Sequence, residues 1–416
     1  MSRQGNPRTP EIEILEPSAR GQQWSTSTIP FGPATAAGLA GLPDQCYAFL
    51  LDRKHYPPAD GRRETLLAHF NVPEFLADRA CFELNGYFGC KPTYDDHDTL
   101  TSCTTWFRIL TKMVRKVKDD PNEDGHDYVD RESKKDYKWF ETTVFTRWES
   151  PGHRCQVLVV DCPFDLPAKL RTALEKRQSG LDFRDPFGMH PDLMDQLIVH
   201  MDVSVWRIRD PVRQLEKSRL RAGAIFAPMH EISRHAIHAS EILEVAIDTI
   251  TEIQRCQTDI HEETRVLGKT YKKQAKEYSQ FQIQLVKALK RRSDSSQKRL
   301  ENEVHLAFNN IARQDNSVMK SIALLGMIFL PATFISAIFS TTFFNFGQDG
   351  EWDVSGKLWV YWAVTIPLTI LVVVVWRVWL ACSDRIMKSL ERLWVVVKGW
   401  AKNPRGQKKQ AKHAAP

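Results

Sequence analysis

A chain of 416 residues, 42% hydrophobic and 26% charged, has room for two domains, or for one large domain with extensions. Its net charge of +6 is modest for that length and gives no reason to expect a nucleic-acid partner. The eight cysteines (Cys46, Cys81, Cys90, Cys103, Cys155, Cys162, Cys256 and Cys382) are scattered without a C-x-x-C pair, which suits free thiols in a reducing compartment and excludes a disulfide framework.

Residues 1–45 are rich in Pro, Gly, Ser and Thr and read as a disordered leader. They hold no apolar core for a signal peptide, and Glu11, Glu13 and Glu16 argue against a transit peptide. Residues 46–225 read as a cytosolic α/β domain with a helical extension. Strand-like runs follow one another there: CYAFLL, CFELNGYFGC, the stretch Cys103 to Leu110, WFETTVFTRW and CQVLVVDC. The charged insertion between the third and fourth runs reads as an exposed loop. After Leu166 the apolar spacing turns helical.

Residues 226–317 read as long cytosolic stalk helices. One apolar stripe (Ile232, Ala236, Ala239, Ile242, Ala246, Ile250, Ile253) predicts a helix from about Pro228, and a basic helix follows from Thr264 to Arg292. The run Ser293 to Ser296 is a candidate break. From Leu300, however, helical spacing continues through Val304, Phe308, Ile311, Val318 and Ile322 into the next segment.

That segment, Ser321 to Phe344, carries no charge over 24 positions. At about 1.5 Å per residue it is long enough to cross a hydrocarbon layer of about 30 Å. The fold class is therefore a membrane protein with a cytosolic α/β domain, stalk helices and a C-terminal two-helix transmembrane hairpin. The first span is 318–344 and the second is 358–380. The connecting loop, 345–357, is acidic through Asp349, Glu351 and Asp353, whereas the tail, 381–416, is basic. The positive-inside rule puts both termini in the cytosol and the acidic loop outside, without identifying the membrane.

Asn316, Met319, Ala323, Gly326, Leu330, Thr333, Ala337 and Ser340 alternate three- and four-residue steps along the first span. Such a seam fits inner helices around an axis, where apolar residues gate and hydroxyls meet a hydrated cation. It equally fits plain helix packing through small residues. Asp315 would ring the cytosolic mouth of an oligomer. Glu231, His235, His238 and Glu241 share a helix face at a spacing that can hold Zn2+, or can simply join neighbouring helices. Asp182, Asp185, Asp192 and Asp195 have the same two readings, as cation sites or as caps and solvated groups. No phosphate-loop, dinucleotide, nucleophile-elbow or H-E-x-x-H motif is present, so no enzyme and no catalytic cofactor are expected.

The fragments FRDPFGMHPDLMDQL, SVWRIRDPVRQLEK, HEISRHAIHASE and IARQDNSVMKSIALLGMIFLPATFISAIFSTTFF, with the hairpin after them, resemble the CorA family of divalent-cation transporters, in a branch common in fungi. The resemblance runs from Cys46 to Leu380. It implies a homo-oligomer, a pentamer in that family, embedded in a lipid bilayer with the first span lining the pore. It also implies a cytosolic body that senses Mg2+. The family's Gly-Met-Asn signature is replaced here: its asparagine falls on Thr342, beside Ser340 and Thr341, with Asn345 three residues on. The expected function is gradient-driven passage of a divalent cation, with Mg2+, Zn2+ and Co2+ all open. The alternative is a non-conducting membrane-anchored scaffold or cation sensor.

Overall fold

The computed structural model of the chain describes residues 11–18, 23–31, 39–51, 62–116, 128–129, 135–177, 180–218, 226–339, 344–346, 352–354, 356 and 359–379. The chain divides into two compact units, Met1–Ala307 and Phe308–Pro416.

The first unit is built on a seven-stranded sheet. Its strands are β1 (Glu11–Pro17), β2 (Trp24–Pro30), β3 (Gln45–Leu50), β4 (Gly86–Tyr94), β5 (Leu100–Val114), β6 (Tyr137–Glu149) and β7 (Arg154–Val160), in the order β2-β1-β3-β7-β6-β5-β4. β3 and β7 are parallel, and every other neighbouring pair is antiparallel. Around the sheet lie α1 (Arg62–His69), α2 (Arg79–Glu83), α3 (Leu166–Lys176), α4 (His190–Ser218), α5 (Phe226–Glu263) and α6 (Lys269–Phe339), the last of which extends into the second unit.

Period-two alternation distributes β3 between two cores. Cys46, Ala48 and Leu50 pack with Leu66 and Leu67 of α1, and with Phe70 just after it, on one face. Tyr47 and Phe49 join Leu170 of α3, Leu193 and Met201 of α4, Ile250 of α5 and Val286 of α6 on the other. Both faces of the central strands are thus covered, which is why CYAFLL and CQVLVV read as nearly continuous apolar runs. At the sheet edge Gly86 permits the approach of α5, since a Cβ there would lie 2.7 Å from Val245 Cγ1.

Four expectations need correction. The supposed disordered leader supplies β1 and β2; β1 pairs with both β2 and β3, burying Ile12, Ile14 and Leu15. The run CFELNGYFGC is not one strand, because its first residues close α2 and only Gly86 opens β4. In the charged insertion, Tyr128 and Val129 are buried rather than exposed, and the Tyr128 hydroxyl donates to Asp165 Oδ2 at 2.7 Å. Finally, Ser293 to Ser296 does not interrupt α6. Ser293 and Ser296 face inward, Ser296 donates to the Arg292 carbonyl at 3.1 Å, and Asp294 takes both Lys290 and the Ser240 hydroxyl of α5. Local side-chain hydrogen bonds satisfy the polar groups that would otherwise favour a break.

The second unit contains the distal part of α6, a short hairpin of β8 (Phe344–Phe346) with β9 (Trp352–Val354), and α7 (Trp359–Trp379). α6 and α7 are both long and apolar enough to cross a membrane. The architecture is that of the expected membrane protein: an α/β sheet domain, a long helix and a two-span hairpin.

Candidate functional site

α6 is 71 residues long and contains Pro331 without ending there. Pro331 lacks an N–H, so the Met327 carbonyl loses its helical donor at that turn. Two residues on, Thr333 donates its hydroxyl back to the helix backbone, with Phe329 O and Leu330 O both at 3.0 Å. A threonine so engaged keeps acceptor lone pairs free.

In heptad terms the seam occupies a (Asn316, Ala323, Leu330, Ala337) and d (Met319, Gly326, Thr333). All seven residues are exposed on the single chain, Met319 at 66% and Leu330 at 69%. The b and f positions Pro331 and Ile335 are buried, as is Thr365 of α7, which is 4% exposed. Tyr361 of α7 adds a hydrogen bond to the Ala332 carbonyl at 3.4 Å. The second span therefore covers the face away from the seam. On one flank an open apolar groove, lined by Ala323, Gly326, Leu330, Phe334, Leu368 and Val372, reaches the seam's edge.

Of the remaining expected positions, Asp315 is exposed on α6, one residue before the seam begins. Asn345 and Asp353 are register partners in the β8–β9 pair. Ser340, Thr341, Thr342, Asp349 and Glu351 lie outside the described residues.

The side chains of the α5 ladder are taken up by protein partners. Glu231 takes the Arg234 guanidinium at 2.5 Å, and Glu241 accepts from Asn85 Nδ2 at 2.6 Å. His238 Nδ1 accepts from the Lys112 ammonium of β5 at 2.8 Å. Lys112 is 1% exposed and lies over the rings of Tyr137 and Trp139, 4.4 and 4.9 Å from their centroids. The site already holds a cation, and it is covalently attached. Burial lowers the Lys112 pKa to about 8, with Arg234 acting in the same direction. Burial, reinforced by Lys112, lowers that of His235 to about 4. Among the described residues no three His, Cys, Asp or Glu side chains converge as a metal site. Sequence reasoning missed Lys112 because it enters from a strand more than a hundred residues upstream.

The four aspartates are held by protein partners as well. Asp185, 1% exposed, accepts from His261 Nε2 and from the Tyr271 hydroxyl, both at 2.9 Å, and from the Phe187 amide. It thereby ties the end of α5 and the start of α6 to the loop before α4. Asp195 accepts from Gln282 at 2.7 Å and from Tyr278 at 2.5 Å, further along α6. Asp192 is engaged by Arg177 and Asp182 by Arg184. The Asp165 carboxyl is desolvated, which alone would raise its pKa, yet His200, Lys169 and Tyr128 hold it well below the usual carboxylate range.

Comparison with known proteins gives a consistent picture. Residues 157–381 match the model of the CorA-like Mg2+ transporter protein family. The complete structure of the CorA magnesium transporter from Methanocaldococcus jannaschii superposes with a TM-score of 0.53 and 11% identity, covering 88% of this chain and 97% of that one. The full-length CmaX protein gives 0.52 and 14%, covering 90% and 98%. Among curated sequences, Notoamide biosynthesis cluster protein M' from Aspergillus versicolor is 29% identical over 272 residues. That alignment takes in 57% of this chain and 58% of the relative's length.

Proposed function

The chain belongs to the CorA-like Mg2+ transporter proteins, and on that premise we propose that it is a homo-oligomeric, gradient-driven channel for a divalent cation, with the a/d seam of α6 facing the axis. The observation that carries this reading is that α7 packs on the b/f side of α6 and leaves the a/d seam uncovered. Pro331 and Ile335 are buried, while Asn316, Met319, Ala323, Gly326, Leu330, Thr333 and Ala337 are left exposed. An exposed seam of seven-residue period is completed by copies of itself, as in a coiled coil. Its Thr333 hydroxyl, and those of Ser340, Thr341 and Thr342 beyond it, would accept from the waters of a hydrated ion where the family signature has an amide. Leu330 and Met319 would form apolar constrictions that close by dewetting. Asn345 and the carboxylates Asp349, Glu351 and Asp353 would sit at the outer mouth and concentrate cations there. Both termini would then lie in the cytosol. The cargo is Mg2+, Zn2+ or Co2+.

The test is ion flux from the full chain reconstituted in liposomes, measured with dyes for each of the three ions. Influx of at least one ion is expected, blocked or altered by Leu330→Asp, with ion preference changed by Thr342→Ala. A folded oligomer that passes none of the three ions would refute conduction and leave a membrane-anchored scaffold or sensor.

A further inference from the structure

The d positions of the seam recur every seven residues, and counting back from Met319 along the uninterrupted helix gives Ala312, His305, Lys298 and Arg291. Three consecutive layers, each about 10.5 Å from the next, therefore carry side chains that are or can become cationic. The intervening a positions, Asn302 and Ser295, are short and neutral. All five residues are exposed on the single chain.

Neighbouring cations on α6 are spoken for. Lys290 pairs with Asp294 at 2.9 Å and lies 3.6 Å from Glu244. Arg299 grips Glu216 with two nitrogens. Arg292 lies over the Trp206 ring, 4.4 Å from its centroid. Arg291 and Lys298 are in no ion pair among the described residues. Of the nearest carboxylates on the helix, Asp294 takes Lys290 and Ser240 and also lies in the field of Lys298, while Glu301 accepts from Gln297 at 3.2 Å. The helix thus turns its paired cations inward and leaves Arg291 and Lys298 on the seam without an ion pair among the described residues.

We propose that the cytosolic seam of α6 is an anion site, in which Arg291 and Lys298, with His305 above them, bind a multivalent phosphate. This rests on the seam-inward oligomer proposed above, where each layer becomes a ring holding one cation per subunit. Rings of Arg and Lys select phosphate-type anions, as rings of carboxylate select cations. Arg291 supplies a planar donor fork and Lys298 a point charge, a pairing suited to a chain of phosphates. An empty column of this kind repels a divalent cation, so bound phosphate would open the cytosolic approach to the cargo by neutralising it. Screening over about 8 Å at physiological salt confines the effect to the layers themselves.

The experiment uses the full chain in phosphatidylcholine nanodiscs, which offer no anionic headgroup. Binding of inorganic tripolyphosphate and of ATP is measured directly, for the natural sequence, for Arg291→Gln with Lys298→Gln, and for Arg171→Gln with Lys176→Gln on α3 as a charge-matched control. The expected result is salt-sensitive binding that weakens about tenfold or more in the double variant and is unchanged in the control. Equal affinity for the two ligands assigns recognition to the phosphate chain; tighter ATP binding adds a nucleoside contact. Absence of tripolyphosphate binding, or equal binding by the double variant, overturns the proposal. Asn302→Cys separates the two readings. Disulfide cross-linking between subunits without phosphate binding refutes the anion site alone, whereas no cross-linking above the background of the natural sequence refutes the inward seam and the site with it.

Discussion

The Lys112 ammonium of β5 donates to His238 Nδ1 of α5 across 2.8 Å, in a setting where Lys112 is 1% exposed. A charged amine thus joins the sheet to the long helix in the place where the spacing of Glu231, His235, His238 and Glu241 suggested a metal ion.

This contact has a pH signature. The Lys112 pKa is 10.5 in the unfolded chain and about 8 in the fold, so between those values the unfolded state binds more protons and stability rises with pH. His235 falls from 6.5 to about 4, so stability declines as pH drops through that window. Thermal unfolding from pH 4 to pH 10.5, read as the difference between the natural sequence and each variant, isolates both contributions from the opposing slope of the buried thiols and phenols. Lys112→Met should make stability fall more steeply from pH 8 to pH 10.5 than it does in the natural sequence, and His235→Asn should flatten the acid slope. An unchanged alkaline slope in Lys112→Met would count against the buried amine.

Asp185 joins three segments through His261, Tyr271 and the Phe187 amide. Replacing it with Asn leaves buried donors without a charged acceptor and should cost roughly 2–4 kcal/mol. Tyr271→Phe removes one bond and should cost about 1–2 kcal/mol. Hydrogen exchange should localise the loss to the α5–α6 turn, residues 264–268, before global unfolding. Exchange that rises uniformly over the first unit would argue against a local clasp.

The two faces of α6 predict different cross-linking. Leu330→Cys, on the exposed seam, should form inter-subunit disulfides in detergent or bilayer, while Ile335→Cys, 7% exposed, should not. Yields differing by about tenfold are expected, because disulfide formation demands Cα atoms within about 7 Å. Equal yields would mean that the seam is not the inter-subunit face.

At the sheet edge, Gly86→Ala places a Cβ 2.7 Å from Val245 Cγ1 and 3.0 Å from the Arg108 carbonyl. Overpacking of this kind costs about 1–3 kcal/mol. Denaturant unfolding of the variant should show that loss, and a neutral result would mean that α5 can withdraw from β4 freely.

The sequence by itself determined what depends on neighbours along the chain. Uncharged length marks the two spans, and helical spacing from Leu300 onward marks the continuity of α6, because hydropathy and a 3.6-residue period are local properties. The a/d seam from Asn316 to Ser340 was legible for the same reason. Tertiary structure decided everything that needs a distant partner. β1 and β2 form in a Pro-, Ser- and Thr-rich stretch because β1 borrows its ladder from β3. The seam is distinguishable from the packing face only once α7 covers Pro331 and Ile335. The ladder on α5 meets Lys112, Asn85 and Arg234 instead of a metal, since a helix face shows which side chains share a direction and not what waits opposite. Spacing proposes a ligand set, and the residue folded against it decides which cation is held.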